Sequence, residues 1–457
     1  MRFLNQLLGL PHQYIPYKSD ATFIQQKTVI DATMVTQRPV ISLKNHIISL
    51  LRSSERYTNL DMVYFASGSF WQTFGQVTTS LLGLGLVLFF ANFLPKETYG
   101  TYRYILSLSG ILSIFTLTGI SQAVAQATAV GHEGALRTAV RYQLKWNLIL
   151  MFVFLVAGTY YFINENFAYT GALLILGIAT PFTSAFNTYG AYLDGKRQFR
   201  LNNIFSILST IIYVGGMMAA VWWGGTVIWL IATYAVVTLS ANLIFYGITL
   251  KMFNPPMEPA EDTLKFGRHL TYIKLLAPLT AQIDSIILNH FWGPAALAVY
   301  AMATAIPNRA IPLVKDWVDI GFPKVARKTP EEIDQTFYKR IGQGLLVGSV
   351  LGGTWALAAP IFFTYLMPQY LDATLYAQLL GLSFVFSMPN RYITILLNAQ
   401  KMTKRIFLST TTVNVIQLLL YGILGIWGGI LGLIIAQIAM AAIGLLINVL
   451  TWRIGRT

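Results

Sequence analysis

The sequence predicts an all-α integral membrane protein of twelve transmembrane helices in two six-helix bundles. Three observations carry that expectation. More than half of the 457 residues are apolar and only 11% are charged, a composition of the membrane class. Apolar runs near the roughly 20 residues a helix needs to cross the hydrocarbon follow one another from Ser67 onward. Lysine and arginine, finally, fall almost wholly in alternate connections between those runs.

Residues 1–66 form a more polar extension. Its first run, MRFLNQLLGL, stops at Pro11 without a small-residue cleavage signature, so it does not read as a secretory signal. Further on, ISLKNHIISLLRSSERY sets Ile41, Leu43, Ile47, Ile48, Leu50 and Leu51 largely to one side of a helix, with Lys44, Arg52 and Arg56 near headgroups. That pattern predicts an interfacial amphipathic helix, the alternative being a disordered tail with chance periodicity.

The predicted spans are 68–94, 102–128, 144–163, 168–192, 201–223 and 226–250 in a first bundle (67–253). A polar cytoplasmic linker, NPPMEPAEDTLKFG (254–267), leads to 268–290, 296–320, 341–366, 374–398, 405–427 and 430–452 in a second bundle (268–457). The connections check the count. Arg137, Arg141 and Lys145, then Lys196, Arg197 and Arg200, then Lys251, Lys265 and Arg268, then Lys324, Arg327, Lys328, Lys339 and Arg340, then Lys401, Lys404 and Arg405 lie on one side. The turns near 164, 224, 293, 370 and 428 hold none, so the positive-inside rule places both termini in the cytoplasm. Two weak internal matches support the two bundles. A shift of about 198 aligns Phe93 with Phe291 and Tyr102 with Tyr300, and one of about 205 aligns Lys196 with Lys401 and Arg200 with Arg405. Six helices per bundle is an even number, which makes the repeats parallel.

Composition also excludes. With no cysteine there are no disulfides, thiolate metal sites or cysteine nucleophiles, and the five histidines lack metal-ligand spacing. The net charge of +14 is scattered over short loops, a topology signal and not a nucleic-acid surface. No phosphate-cradling glycine loop is present, and no extended outer loop pairs carboxylates as glycan-forming chemistry would need. These observations point to transport without an enzymatic step and without a cofactor.

The stretch FLPKETYGTYRYILSLSGILSIFTLTGISQAVAQATA resembles the opening hairpin of the polysaccharide flippases, and QIDSIILNHFWGPAALAVYAMAT resembles the start of their second half. These are the O-antigen and exopolysaccharide branch of the multidrug/oligosaccharidyl-lipid/polysaccharide exporter superfamily, and the resemblance covers about residues 65–452. It implies a V-shaped pair of bundles alternating between inward-open and outward-open states around a central cavity. It also implies a substrate, an undecaprenyl-diphosphate-linked oligosaccharide moved from the inner to the outer leaflet of a prokaryotic cytoplasmic membrane. Polysaccharide polymerase and glycosyltransferases are the expected neighbours, and proton or sodium coupling stays open. The rivals are a multidrug or cation antiporter of the same superfamily and, from another class, a membrane-embedded glycan polymerase or ligase. Lipid II flippases, which are related, would require fourteen spans.

A lipid-linked diphosphate needs cations at depth, where ionisable residues are costly and so point to function. Arg309 lies about 13 residues into the eighth span, roughly 20 Å from the outer surface and beyond snorkelling reach, between Pro307 and Pro312. Asp284, in the outer half of the seventh span, either neutralises Arg309, forms a fixed bridge or titrates in a coupled cycle. Lys274 sits one turn inside the cytoplasmic face, where snorkelling and substrate capture are equal readings. Arg391, beside Pro389 and Asn390, and Arg103, at an outer helix end, complete the cations. Lys315 and Asp319 are spaced to pair, with Asp316 beside them. In the first span Ser69, Gln72, Gln76, Thr79 and Gly83 form a polar stripe turned to the cavity or to a packing partner. The abundant Tyr and Trp read as interface belts.

Overall fold

A computed structural model describes residues 62–257, 261–309, 330–400 and 402–454. The extension with its amphipathic helix, and the Lys315, Asp316 and Asp319 group, lie outside the described residues. Among those residues every regular element is helical. Nine helices are long and apolar enough to cross a membrane, ten if one bent pair counts as a single span.

In chain order, α1 (Met62–Phe93) and α2 (Lys96–Leu112) are joined by a sharp turn. A 3-10 turn (Ser113–Phe115) then bends the path by 60° into α3 (Gly119–Ala129). Next come α4 (Ala135–Trp146), α5 (Leu148–Ile163), α6 (Phe167–Phe186), α7 (Thr188–Gly195), α8 (Phe199–Trp222) and α9 (Val227–Phe253). Beyond the linker lie α10 (Glu261–Ile273), the single turn α11 (Ala277–Thr280), α12 (Ile283–Ala305), α13 (Pro330–Leu366), α14 (Thr374–Ala399) and α15 (Thr403–Ile454).

Two expectations about continuity are corrected. The second span is not one helix over 102–128 but the bent pair α2 and α3. The seventh is likewise broken between Ile273 and Ile283, and the linker predicted over 254–267 is already helical from Glu261. Pro278 accounts for part of this, because it removes a donor and clashes with the preceding turn.

Two of the long helices contain reversals. α15 has 52 residues, about 78 Å if straight and over twice the hydrocarbon thickness, but Gly429 takes φ 55°, ψ −133°. Gly293 in α12 takes φ 83°, ψ 172°. Only glycine enters such regions without strain, so the chain doubles back at these two points. Trp292 packs on Gly429 and donates from Nε1 to the Gly425 carbonyl at 3.1 Å, joining the two reversals.

Residues from Gly68 onward form one compact unit, and its centre is the second part of α12. Every residue from Leu297 to Ala305 is buried. Ala298, Ala301, Ala303 and Ala305 keep this helix thin enough to be surrounded, the small-residue packing that membrane helices use. α2 lies against it so closely that a Cβ on Gly100 would stand 1.8 Å from the Pro294 carbonyl oxygen. The exposed surface carries apolar stretches: Leu148, Phe152 and Leu155 on α5, and Leu346, Val350 and Leu357 on α13, are exposed. Trp222, Trp223 and Trp427 stand exposed beside the turns that lack basic residues, where an aromatic belt belongs.

Candidate cleft between the two halves

Two stretches of chain, up to Phe253 and from Glu261, meet along a seam with three levels. At the end near Phe93, Lys96 pairs with Asp372 at 2.7 Å, Asn92 donates to the Leu366 carbonyl and Gln369 donates to the Asn92 carbonyl. At the opposite end α3 lies on α10. The amide of Gly119 donates to Thr271 Oγ1 at 3.0 Å, a Cβ there would meet the Gly267 carbonyl at 2.4 Å, and Lys274 Nζ donates to Gln122 Oε1 at 2.7 Å. The cations lie between these levels.

Arg309 is placed by the break before it. Past Ala305 the helix is interrupted at Ile306 and resumes at Pro307, which has no amide hydrogen to give, and the Arg309 amide bonds the Ile306 carbonyl. The guanidinium of the same residue takes up the Ala305 carbonyl at 2.9 Å and reaches across to the Gly83 carbonyl on α1 at 3.2 Å. The charge is thus held by two backbone oxygens and by no carboxylate among the described residues. Arg103 comes from α2 into electrostatic reach of Arg309, with Tyr99 close to both. Its Nε is buried and has no hydrogen-bond partner. Two guanidiniums from the two halves therefore come within electrostatic reach of each other, and one of them has a donor to spare.

Asp284 does not neutralise Arg309. Its Oδ2 accepts from Tyr300 Oη at 2.6 Å, and Oδ1 accepts from the Ser285 amide at 2.6 Å. Tyr300 Oη in turn accepts from Gln437 Nε2 at 2.5 Å. The reversal at Gly293 explains this, because it lays Tyr300 back alongside the first part of α12. Arg103 is the cation within electrostatic reach of Asp284.

The remaining candidates divide. Gln72 and Gln76 are exposed on α1, and Gln76 bonds Ser80 at 3.5 Å. Gln72 is about three turns from Gly83 and so shares the face that meets Arg309. The Ser69 side chain is outside the described residues. Lys274 is exposed and tied to Gln122 as above, so it stands at the α3–α10 end of the seam and not with the guanidiniums. Arg391 stands apart on α14, where its neighbour Asn390 accepts from Asn448 at 2.6 Å. Sequence reasoning missed Tyr99, Tyr300, Gln122 and Gln437. The internal match of Tyr102 with Tyr300 was the one signal among them, and both hydroxyls are engaged: Tyr102 with Tyr213 at 3.1 Å, Tyr300 with Asp284.

No group of three or more His, Cys, Asp or Glu capable of holding a metal occurs among the described residues.

Comparison with known proteins fits this arrangement. A Shigella flexneri protein named as an O-antigen transporter is 20% identical over 250 residues, 51% of this chain and 60% of that protein, so the match spans less than two thirds of that relative's length. Among solved structures, the lipid II flippase MurJ in an inward-closed conformation superposes with a TM-score of 0.66 at 16% identity, over 85% of this chain and 87% of that one. An inward-facing multidrug resistance transporter of the MATE family gives 0.56 at 15% identity, over 86% and 95%. A MOP-superfamily transporter from Pyrococcus furiosus gives 0.55 at 14%, over 85% and 95%. At these identities the structures establish the fold. The sequence itself, over residues 65–312 and so over more than half of its length, matches the family described as polysaccharide biosynthesis protein, and the chain belongs to that family.

Proposed function

We propose that the chain is an alternating-access flippase that carries a polyprenyl-diphosphate-linked oligosaccharide from the cytoplasmic to the outer leaflet of a prokaryotic inner membrane. The observation that carries this reading is the pair Arg103 and Arg309. They come from opposite halves, lie within electrostatic reach of each other, and make no salt bridge to a carboxylate among the described residues. A diphosphate supplies the missing anion, and guanidinium forks suit phosphate oxygens. Both halves then contribute to one ligand, so its binding is sensitive to how the halves are disposed. The relative named for O-antigen transport and the flippase fold of MurJ support the same substrate class.

On this reading the chain crosses the membrane twelve times, with the reversals at Gly293 and Gly429 each separating two passes, and both termini are cytoplasmic. The work is transport without covalent catalysis or a cofactor. Glycosyltransferases and a polymerase supply and consume the glycan. The hydrogen-bonded group Asp284, Tyr300 and Gln437 is where a proton or sodium ion would couple. The MATE-fold neighbours favour a second reading, an antiporter of organic cations. Two converging guanidiniums oppose it, because they repel a cationic drug.

The test is transbilayer movement of a fluorescent undecaprenyl-diphosphate oligosaccharide in proteoliposomes, read by accessibility to an external quencher, with and without a proton or sodium gradient. Protein-dependent movement is the expected result. No movement of several such lipids, together with gradient-driven export of an organic cation, would transfer the assignment to the antiporter.

A further inference from the structure

One pass bends, and the next two carry single-residue interruptions, at one level inside the N-terminal half. The path from α2 to α3 breaks over Ser113–Thr118, α4 gives way to α5 at Asn147, and α6 gives way to α7 at Asn187. Backbone that leaves the helix at membrane depth is tolerated where it is buried in protein or lines a polar cavity. Here it lines a chamber of about 220 Å³ walled by Thr116, Thr118, Ser121, Gln143, Asn147 and Asn187, with no charged side chain. A second chamber of about 140 Å³ adjoins it and shares Ser184 and Asn187.

One lining residue holds an acceptor that meets neither a protein donor nor solvent. Asn147 is 1% exposed, and its Nδ2 donates to the Pro181 carbonyl at 2.8 Å and to Ser184 Oγ at 2.9 Å. A carbonyl only accepts, so this fixes the amide orientation and leaves Oδ1 as the free end. Asn147 Oδ1 is buried and has no hydrogen-bond partner. At the mouth, Thr118 and Asn187 are exposed. The wall that carries Ser121 is the same turn of α3 whose Gly119 and Gln122 touch Thr271 and Lys274, so the chamber lies directly behind the α3–α10 end of the seam.

Size and lining select the ligand. A bare ion is gripped by six to eight oxygens at about 2.3–2.6 Å, whereas this chamber has room for about seven waters. Amides and hydroxyls without a charge match a neutral ligand rich in hydroxyl groups. Thr116 lies 13 residues beyond Arg103, about 20 Å along the chain if it continued as helix, a separation that several linked sugar rings span.

We infer that this chamber is a subsite for a neutral sugar residue of the glycan, separate from the guanidinium pair that holds the diphosphate. The inference rests on the flippase reading above. Thr118, Ser121 and Asn187 exchange hydrogen bonds with the sugar hydroxyls, and Thr118 and Asn187 select the ring at the mouth. Polar groups built to bond a hydroxyl reject a ligand that lacks it, so this is a specificity site for the glycan.

The natural chain has no cysteine, so Ser121→Cys carries its only thiol. The experiment follows its modification by a water-soluble methanethiosulfonate in the full-length protein in nanodiscs. The probes are undecaprenyl diphosphate and undecaprenyl-diphosphate trisaccharides built on glucose, galactose or N-acetylglucosamine, with Lys265→Cys as an exposed control. At least one trisaccharide lipid should slow the reaction at position 121 fivefold or more, undecaprenyl diphosphate alone should not, and the control should not respond. Adding Asn187→Ala should raise the protecting concentration about tenfold while leaving undecaprenyl-diphosphate binding unchanged. Binding of the trisaccharide lipids without protection, or a thiol that never reacts, overturns the subsite and leaves the flippase reading standing. Failure of every lipid to bind overturns the flippase reading and the subsite with it.

Discussion

Arg309 does two things at once, and the geometry separates them. Its guanidinium ties the end of α12 to α1 through the Ala305 and Gly83 carbonyls, and its charge faces the cleft with Arg103. Arg309→Ala should therefore abolish flipping at normal expression, and retained activity would remove it as the diphosphate clamp. Arg309→Lys keeps the charge but a compact ammonium does not reach both carbonyls as a planar fork does. Losing one hydrogen bond to a charged group is worth about 1.5–3 kcal/mol, so flipping should fall about tenfold to a hundredfold. Asp284→Asn keeps an acceptor for Tyr300 while removing the charge. It should leave lipid exchange without a gradient intact and abolish its acceleration by the coupling ion, measured in the same vesicles. The depth of Arg309 was legible because charge inside a 20-residue apolar run stands out. Its partner was not, since Gly83 is 226 residues away in sequence and offers only a backbone oxygen. The role of Asp284 stayed open among three readings, because the turn at Gly293 was legible but the residue it would bring opposite Asp284, Tyr300, was not.

Among the elements, hydropathy located the spans but not their breaks. The bend between α2 and α3 falls in SIFTLT, a stretch with neither glycine nor proline, so nothing local announces it. The reason for it is tertiary: the Gly119 amide finds Thr271 Oγ1, and α3 beds onto α10 where no Cβ intervenes. Both turns were legible in the sequence, Gly293 because Gly-Pro marks one and the turn near 428 from the gap between two apolar spans, though only the backbone angles show that Gly429 makes it. Gly429→Ala should cost about 1–3 kcal/mol for a backbone region reserved to glycine. It must also displace Trp292, whose ring lies 2.8 Å from the added carbon. Gly100→Val should be harsher, since its first carbon would lie 1.8 Å from the Pro294 oxygen and neither helix has side-chain slack to give. Thermal unfolding in detergent, followed by tryptophan fluorescence, should rank wild type above Gly429→Ala above Gly100→Val.

For the whole molecule, the question is what holds the two halves together at the end that, on the proposed flippase reading, opens to release the lipid. The polar contacts there are few and mostly exposed, over a buried apolar layer in which Phe90, Leu94 and Tyr99 share one cluster with Phe363, Met367 and Tyr370. Lys96 and Asp372 pair with side chains 33% and 52% exposed, Lys96 also sits 5.1 Å over the Tyr370 ring, and Asn92 exchanges two hydrogen bonds with the Leu366–Gln369 turn. An exposed ion pair is worth about 0–1 kcal/mol. Such a latch biases an equilibrium without locking it, as alternating access requires, because a change of 1.4 kcal/mol alters a population ratio about tenfold. Lys96→Ala should accordingly leave unfolding temperature almost unchanged while shifting the population open at this end. A covalent bridge should do what the ion pair does not. In a chain without native cysteine, Lys96→Cys with Asp372→Cys joined by a bis-methanethiosulfonate of about the span of the Lys96–Asp372 pair fixes this end shut. Binding of the lipid from the opposite end should persist, transbilayer movement should stop, and reduction of the bridge should restore it. Movement that continues under a quantitative crosslink would mean that this end does not open during transport, and the outer gate would have to be sought elsewhere on the seam.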